Sequence, residues 1–432
     1  MGRANAHVIT IYYKKFKSPI NVDRKDLSMI DFEIPDNIAN IRNALHWMMK
    51  EKVRPHCIQA DIDAKYPQSF YDDFGPMAAA MSPGGGGKGK KKDSGGSMGM
   101  PEATALMAVV VGEELGWGDP TMALNMPGPG TGGPALAARG TEEQKEKYFG
   151  MLKGGGAKWA AYGLTEPGAG SDVAHIRTTC HKDGDEWVLN GTKCFISNGA
   201  KAEWTLVFAT IDANLGHAGQ RVFIVEKGTP GLSIGKIENK MGFRASETAE
   251  MVFENCRVPA ANLLGGEEAH QKGGKEGFKT AMEFFDTSRP MVGILAIGIA
   301  RAAYEELDHW VKDNYWLDRP IPRYAALRDR LNDMQRKLDA GRLLCWKAAW
   351  MADNKISNTK EASMAKMYGP GLAMEICSEA VRIMGAHGTL KGHLVEKLYR
   401  DIKVFDIFEG THQIQQTIIA KHMFTDVTMK TA

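Results

Sequence analysis

The stretch VFDIFEGTHQIQQ, residues 404–416, sets one carboxylate, Glu409, and a glycine directly after it among Val404, Phe405, Ile407, Phe408 and Ile414. If those side chains enter a core the glutamate loses hydration with them, and a buried charge without a partner is costly. Two readings stay open at this point. Either Glu409 lies on a solvated face or pairs with a basic neighbour such as Arg400 or Lys403, or it is a carboxylate withdrawn from water for chemistry.

Around this stretch, from about residue 271 to 432, the apolar residues recur at helical spacing. GILAIGIARAAYEELDHWVKDN, LRDRLNDMQRKLDAGRLLCWKAAWMADN, TKEASMAKMYGPGLAMEICSEAVRIMG and the region around Glu409 give four helical patterns, enough for an antiparallel bundle. Across 159–270 the period shifts toward two. EWVLNGTKCFISN reads as a hairpin turning at Asn190-Gly191, and WTLVFAT, RVFIVEKG and AEMVFENCRVP read as further short strands of an antiparallel sandwich or barrel. Residues 30–158 read as helices: IANIRNALHWMMKEKV is amphipathic, ATALMAVVVGEELG is apolar enough to be buried, and Thr141 with Gln144 forms a capping box opening TEEQKEKYFGML. Between them MSPGGGGKGKKKDSGGSMG, 81–99, reads as a loop. Helices, strands and then a bundle make an α+β order, preceded by an unassigned extension at 1–29 that includes YYKKFKS.

At 432 residues the chain exceeds what one core usually serves, in keeping with two or three domains. Its 43% hydrophobic and 25% charged residues are those of an ordinary globular protein, and 54 Lys and Arg against 52 Asp and Glu argue against nucleic acid as the main partner. No apolar run is long enough for a membrane span, the N-terminus lacks a signal-peptide core and a transit-peptide pattern there is poor. The expectation is a cytoplasmic protein, or a mitochondrial matrix protein were the source eukaryotic. The six cysteines form no Cys-x-x-Cys pair and have no matching histidine spacing, so neither a metal site nor a disulfide framework is expected. No strand leads into a Gly-x-Gly-x-x-Gly helix opening, which leaves a Rossmann site without support.

Four segments, AYGLTEPGAGSD at 161–172, GTKCFISNG at 191–199, FDTSRP at 285–290 and YRDIKVFDIFEGTHQIQ at 399–415, stand in an order and spacing that resembles the acyl-CoA dehydrogenase family, with the likeness running from about 30 to 425. The resemblance implies a helical domain, a middle β domain and a C-terminal four-helix bundle, assembled as a homotetramer. It implies FAD bound between the β domain and the bundle, an acyl-CoA substrate oxidised to the 2,3-enoyl-CoA, and an electron-transfer flavoprotein as acceptor. An acyl-CoA oxidase, and a non-catalytic subunit or scaffold of the same fold, are the alternatives.

Under that resemblance Glu409 matches the base that takes the α-proton, which answers the question posed by its apolar setting: partial desolvation raises its proton affinity. Its own main-chain N–H and a ribityl hydroxyl of the cofactor would hold the thioester oxygen, and Gly410 would let the substrate approach the main chain. Some relatives carry the base just before the arginine of FDTSRP, where this chain has Ser288. Tyr162, Leu164 and Thr165 match residues along the isoalloxazine, Ser171 a residue reached by cofactor and CoA, and Phe195 and Ser197 the aromatic and hydroxyl positions beside the flavin. Asp286 and Arg289 match substrate-side positions, and Thr411 and Gln413 match FAD contacts.

The chain departs from the family pattern in several places. Asn314 and Trp316 stand in place of the arginine and the polar residue of a motif whose arginine reaches the FAD pyrophosphate, and Tyr324-Ala325 in place of the His/Tyr-Gln pair that follows it, while Arg382, in VRIMGAHG with Gly385, stands where a glutamine near the adenosine is customary; a gained guanidinium could offset the lost one. Lys88, Lys90, Lys91 and Lys92 in the 81–99 loop are either solvated or meet CoA phosphates or a second substrate carboxylate. NMPGPGTGG, 125–133, interrupts a helix bordering the acyl pocket, which points to branched, cyclic or aryl-bearing acyl groups.

Overall fold

A computed structural model describes residues 34–72, 104–154, 156–267, 275–315 and 322–428, with side chains described except at 104, 275–287, 322–323 and 425–428. The 1–29 extension, the 81–99 loop and Trp316 lie outside these residues, as does the side chain of Asp286.

The N-terminal helices follow their apolar periods. Helix α1 (Asp36–Met48) buries Ile38 and Leu45 and runs through a π-helical turn, Met49–Val53, into α2 (Arg54–Asp63). Helix α3 (Thr104–Gly118) buries Val109, Val110, Val111 and Trp117. Helix α4 (Pro120–Leu124) starts at Asp119, whose carboxylate accepts from the Thr121 N–H. Turns fill NMPGPGT as far as Thr131, and helix α5 (Gly132–Arg139) follows. Helix α6 (Glu142–Met151) opens on the expected capping box of Thr141 and Gln144.

Seven strands follow: β1 (Ala160–Gly163), β2 (Thr179–Asp183), β3 (Glu186–Ser197), β4 (Trp204–Thr210), β5 (Gln220–Glu226), β6 (Leu232–Ile237) and β7 (Thr248–Pro259). They form one sheet in the order β1-β4-β2-β3-β7-β6, with β5 also on β4. Most pairings are antiparallel, but β1 runs parallel to β4, as does the single Thr179–Thr210 contact between β2 and β4. The hairpin expected at Asn190-Gly191 is corrected. β3 runs straight through both residues with a register shift against β7 between Leu189 and Gly191, and the tight turn is Gly184-Asp185, between the paired Asp183 and Glu186. Gly184 takes φ +62° there, which a primed turn requires. Two signals for such a turn lie within eight residues, and the long pairing of β3 with β7 selects the first.

The C-terminal region contains α7 (Lys275–Asn314), α8 (Pro322–Asp353), α9 (Thr359–Met384), α10 (Leu394–Asp401) and α11 (His412–Thr428). The region around Glu409 is not helical. A 3₁₀ turn, Ile402–Asp406, and an irregular bend link α10 to α11, which is the fourth long helix. One apolar cluster joins these helices to α1–α3 through residues such as Met49, Val109, Ile294, Leu307, Leu338, Ile376 and Phe405, while Leu189, Val207, Phe223 and Phe253 form a second core within the sheet.

Buried charges tie the layers together. Glu113 on α3 accepts from Arg301 on α7 at 2.8 Å and from Arg342 on α8 at 2.8 Å, and Glu114 accepts from Arg301 at 2.6 Å. Lys397 on α10 joins Asp119 and Asp401, and Asp401 also accepts from the Phe243 N–H at 2.6 Å. Such fully paired groups hold register, because removing one partner strands the other in low dielectric.

Helices α7 and α9 cross at Gly293 and Gly369. A β-carbon on Gly369 would lie 2.6 Å from the Gly293 carbonyl oxygen, and one on Gly293 would lie 2.7 Å from the Ala365 carbonyl oxygen. Backbone meets backbone here, so neither side can yield. Gly369→Ala is therefore expected to lower stability by about 1–3 kcal/mol through overpacking. Gly371→Ala two residues on, where an added β-carbon meets nothing within 4 Å, is expected to raise it by about 0.5–1 kcal/mol. Urea midpoints of the two variants against the parent check both signs.

Candidate active site

The bend before α11 places Glu409 and Gly410 in the left-handed region, at φ +56° and +89°. The apolar run that surrounds them in sequence divides accordingly: Ile402 and Phe405 are buried, Val404 and Phe408 pack against the core, and Ile407 is exposed. The Glu409 side chain is partly buried. Its neighbours come from other helices. Ser288 Oγ on α7 donates to Glu409 Oε2 at 3.2 Å, and the cations of Lys366 on α9 and Arg289 on α7 lie within electrostatic reach. Loss of water raises the Glu409 carboxyl above its ordinary 4.5, and Ser288, Lys366 and Arg289 oppose that rise.

The pairing of Glu409 with Arg400 or Lys403 does not occur. Arg400 is held by Asp61 at 2.6 Å and Glu396 at 2.6 Å, and Lys403 lies 3.8 Å from Asp406. The main chain around Glu409 is held from inside. Lys366 Nζ donates to the Gly410 carbonyl at 2.5 Å, and Gln415 Nε2 donates to the carbonyls of Gly410 at 3.1 Å and Glu409 at 3.4 Å. Among the described residues the Glu409 N–H makes no hydrogen bond.

Strand β1 supplies the facing wall. Burial, and then the charge of Glu409, push the Tyr162 phenol well above its ordinary 10.0, which sets this residue in the field of the carboxylate. The Tyr162 ring packs on Phe208 at 5.0 Å. After β1 the chain turns through Leu164, Thr165 and Glu166, and this turn is clamped to β3. Lys193 Nζ donates to the Leu164 carbonyl at 3.1 Å and to Glu166 Oε1 at 2.6 Å, and the Cys194 N–H donates to the Thr165 carbonyl at 2.9 Å. Glu166 further accepts from the N–H groups of Arg177 and Thr178. With both carbonyls taken from behind, the N–H groups of Leu164 and Thr165 remain without a hydrogen bond among the described residues.

Beside them Phe195 sits on a register shift of β3 at φ +57° and is 64% exposed, so the bulge presents the ring outward instead of packing it. Ser197, two residues on, is exposed on the same strand.

Other residues singled out in the sequence fall as follows. Arg289 is 3% exposed near Glu409. Thr411 Oγ1 accepts from the Ile414 N–H and so caps α11, and Gln413, two residues on, is exposed. Ser171 is exposed in the turn that follows Thr165. Arg382 is held by Glu379 on its own helix at 2.5 Å, a partner not anticipated, and Gly385 caps α9 at φ +59°. Asn314 Nδ2 donates to the Trp310 carbonyl.

Sequence reasoning missed Ser288 as a donor to the base, and it missed Lys366, Gln415 and the Glu166–Lys193 clamp. Only Ser288 carried a signal, because a position able to hold an alternative base must lie beside the same proton. Among the described residues no group of three or more His, Cys, Asp or Glu is poised to hold a metal, and no helix is long and apolar enough to cross a membrane. All six cysteines are buried and unbridged.

Three family models match in order along the chain: the acyl-CoA dehydrogenase N-terminal domain at residues 35–155, the middle domain at 161–256 and the C-terminal domain at 275–424. The chain is 36% identical over 406 residues to an acryloyl-CoA reductase (NADH) of Anaerotignum propionicum, covering 94% of this chain and 98% of that protein. It is 33% identical to a cyclohexane-1-carbonyl-CoA dehydrogenase of Syntrophus aciditrophicus, covering 90% and 97%. The structure of butyryl-CoA dehydrogenase from Megasphaera elsdenii superposes with a TM-score of 0.80 at 32% identity, covering 91% of this chain and 100% of that one. With all three domains of the family matched in order and relatives above 30% identity over nearly their whole length, this chain belongs to the acyl-CoA dehydrogenase family of oxidoreductases.

Proposed function

We propose that the protein carries out α,β-dehydrogenation of an acyl-CoA thioester, with Glu409 taking the α-proton. The observation that carries this reading is the pairing, on one residue, of a carboxylate with raised proton affinity and an N–H without a partner among the described residues. A base near the α-carbon and a donor at the carbonyl oxygen are the two requirements for drawing a proton off a weak carbon acid. Ser288 steadies the carboxylate oxygen. The room left by the missing β-carbon of Gly410 is taken by Gln415 Nε2, 2.6 Å from where that carbon would lie, so the expectation that this glycine opens the main chain to the substrate is corrected: it admits Gln415 instead.

The residues present fit FAD: two N–H groups of the Leu164-Thr165 turn have no partner among the described residues, Phe195 offers an exposed ring, and Thr165 and Ser197 add hydroxyls on the same turn and strand. Bound there, FAD supplies the acceptor for the β-hydrogen as hydride. Tyr162, Leu164, Thr165, Ser171, Phe195 and Ser197 would hold its ring side, with Thr411, Gln413, Arg382 and Gly385 toward the rest of the cofactor. An electron-transfer flavoprotein as acceptor and a homotetrameric assembly complete the proposal. The cyclohexane-1-carbonyl-CoA dehydrogenase among the relatives supports a branched or cyclic acyl group, as does the absence of a helix across 125–131. The acryloyl-CoA reductase shows that a relative is named for the reverse direction, for which a protonated Glu409 returns the α-proton.

Anaerobic mixing of the holoenzyme with butyryl-, isobutyryl-, cyclohexane-1-carbonyl- and glutaryl-CoA tests the reading. Bleaching of the flavin by at least one thioester is expected, and Glu409→Gln is expected to slow it about 10²- to 10⁴-fold. No bleaching by any of them overturns the proposal, and release of peroxide in air would mark an oxidase instead.

Stability gives an independent check on the same carboxyl. Because burial raises it in the folded state, its contribution is greatest below the ordinary value of 4.5 and is lost as pH rises through the higher folded value. Glu409→Gln is therefore expected to be more stable than the parent at pH 7–8, with the gain shrinking toward pH 4, as read from urea midpoints across that range.

A further inference from the structure

We propose that Lys366 is a positioning residue for the Glu409–Gly410 bend: its ammonium pins the Gly410 carbonyl inward and so fixes the direction in which the Glu409 carboxylate and N–H are presented. The inference rests on the dehydrogenase reading and adds to it a residue that touches neither substrate nor the base itself.

Among the described residues three lysines are almost fully buried, and they are satisfied in different ways. Lys193 pairs with Glu166, and Lys397 pairs with Asp119 and Asp401. Lys366, 1% exposed, forms no ion pair among the described residues, and its hydrogen bond goes to a main-chain carbonyl. A buried ammonium is costly unless strongly bonded, and a charge-assisted bond of 2.5 Å to one peptide oxygen is a firm tether.

The tether lands where the backbone most needs it. Two successive residues with positive φ include a glutamate, for which the left-handed conformation is unfavourable, and such a conformation persists only when its surroundings over-determine it. Gln415, 0% exposed, supplies the second constraint by donating to the same carbonyl from α11. A β-carbon at residue 410 would lie 2.6 Å from Gln415 Nε2, so the bend, the amide and the ammonium form one packed unit.

The reach of Lys366 is set by the helix crossing. It lies one turn before Gly369 on α9, as Arg289 lies one turn before Gly293 on α7, and the close contact of the two glycines brings both cations under the bend. The charged groups facing Lys366 are Asp406, Glu409 and Arg289, and His412 in turn lies 3.3 Å from Asp406. Burial brings the Lys366 ammonium down to about 8, so it is charged at neutral pH and acts, with Arg289, against the rise of the Glu409 carboxyl.

The test uses flavin-loaded parent, Lys366→Met, Lys366→Arg and Gln415→Met, with the thioester that bleaches the parent fastest. For Lys366→Met the rate constant of flavin reduction is expected to fall about 10- to 100-fold, as for a misaligned reacting group. The half-saturating concentration should stay within about threefold, as when an interaction specific to the transition state is lost. The acid limb of its pH profile should move upward, amide exchange over 404–416 should quicken, and Lys366→Arg should recover part of the rate. Gln415→Met removes a donor to the same carbonyl without touching a buried charge, and slower reduction with faster local exchange is expected there too. Parent-like reduction and exchange in both Lys366→Met and Gln415→Met overturn the inference while leaving the dehydrogenase reading intact. Failure of the parent itself to bleach overturns that reading, and the exchange arm then decides the positioning role alone, quickened exchange supporting it and unchanged exchange refuting it.

Discussion

The backbone contact between Gly293 and Gly369 is the constraint on which the site depends. With no side chain between them, α7 and α9 approach until a carbonyl of one lies against the α-carbon region of the other. Ser288, Arg289 and Lys366 are carried in by that approach, each about one turn from a crossing glycine. A larger residue at either position would separate the hydroxyl from the carboxylate and the ammonium from the carbonyl in a single step, although both glycines are distant in sequence from Glu409.

The electrostatics then follow from what surrounds each charge. Glu166 and Lys193 lie across from one another, with main-chain N–H groups completing the carboxylate, and the result is a rigid clamp on the 164–165 turn. Among the described residues no cation is in direct contact with Glu409. It has a hydroxyl at 3.2 Å and two cations within reach, so burial prevails and its proton affinity rises. A fully paired Glu409 would be held too strongly as the anion to accept a proton, whereas an isolated one would be protonated and idle.

Much of the fold was legible because its signals are local. Thr141 and Gln144 define a helix start within four residues, and the apolar ATALMAVVV segment is a buried helix on its face. Where two local signals competed, tertiary pairing decided. Asn190-Gly191 is a good turn sequence, yet the ladder with β7 draws it into a strand and leaves the turn to Gly184-Asp185. Glu409 stood out because a carboxylate in an apolar run needs an explanation. Lys366 did not, since a lysine in a helical pattern ordinarily faces water, and only the helix crossing shows that this one is 1% exposed. The Glu166–Lys193 pair joins residues 27 positions apart through the approach of β1 to β3, which no spacing rule supplies.

The account's central claim is that Glu409 exchanges a proton with the α-carbon of a bound thioester. It is tested most directly in heavy water with a thioester carrying sulfur in place of the β-carbon, so that no hydride can leave and only the α-proton can move. The parent holoenzyme is expected to wash deuterium into the α-position, and Glu409→Gln to leave it unlabelled over the same interval. Deuterium entering at the parent's rate in Glu409→Gln would contradict the account.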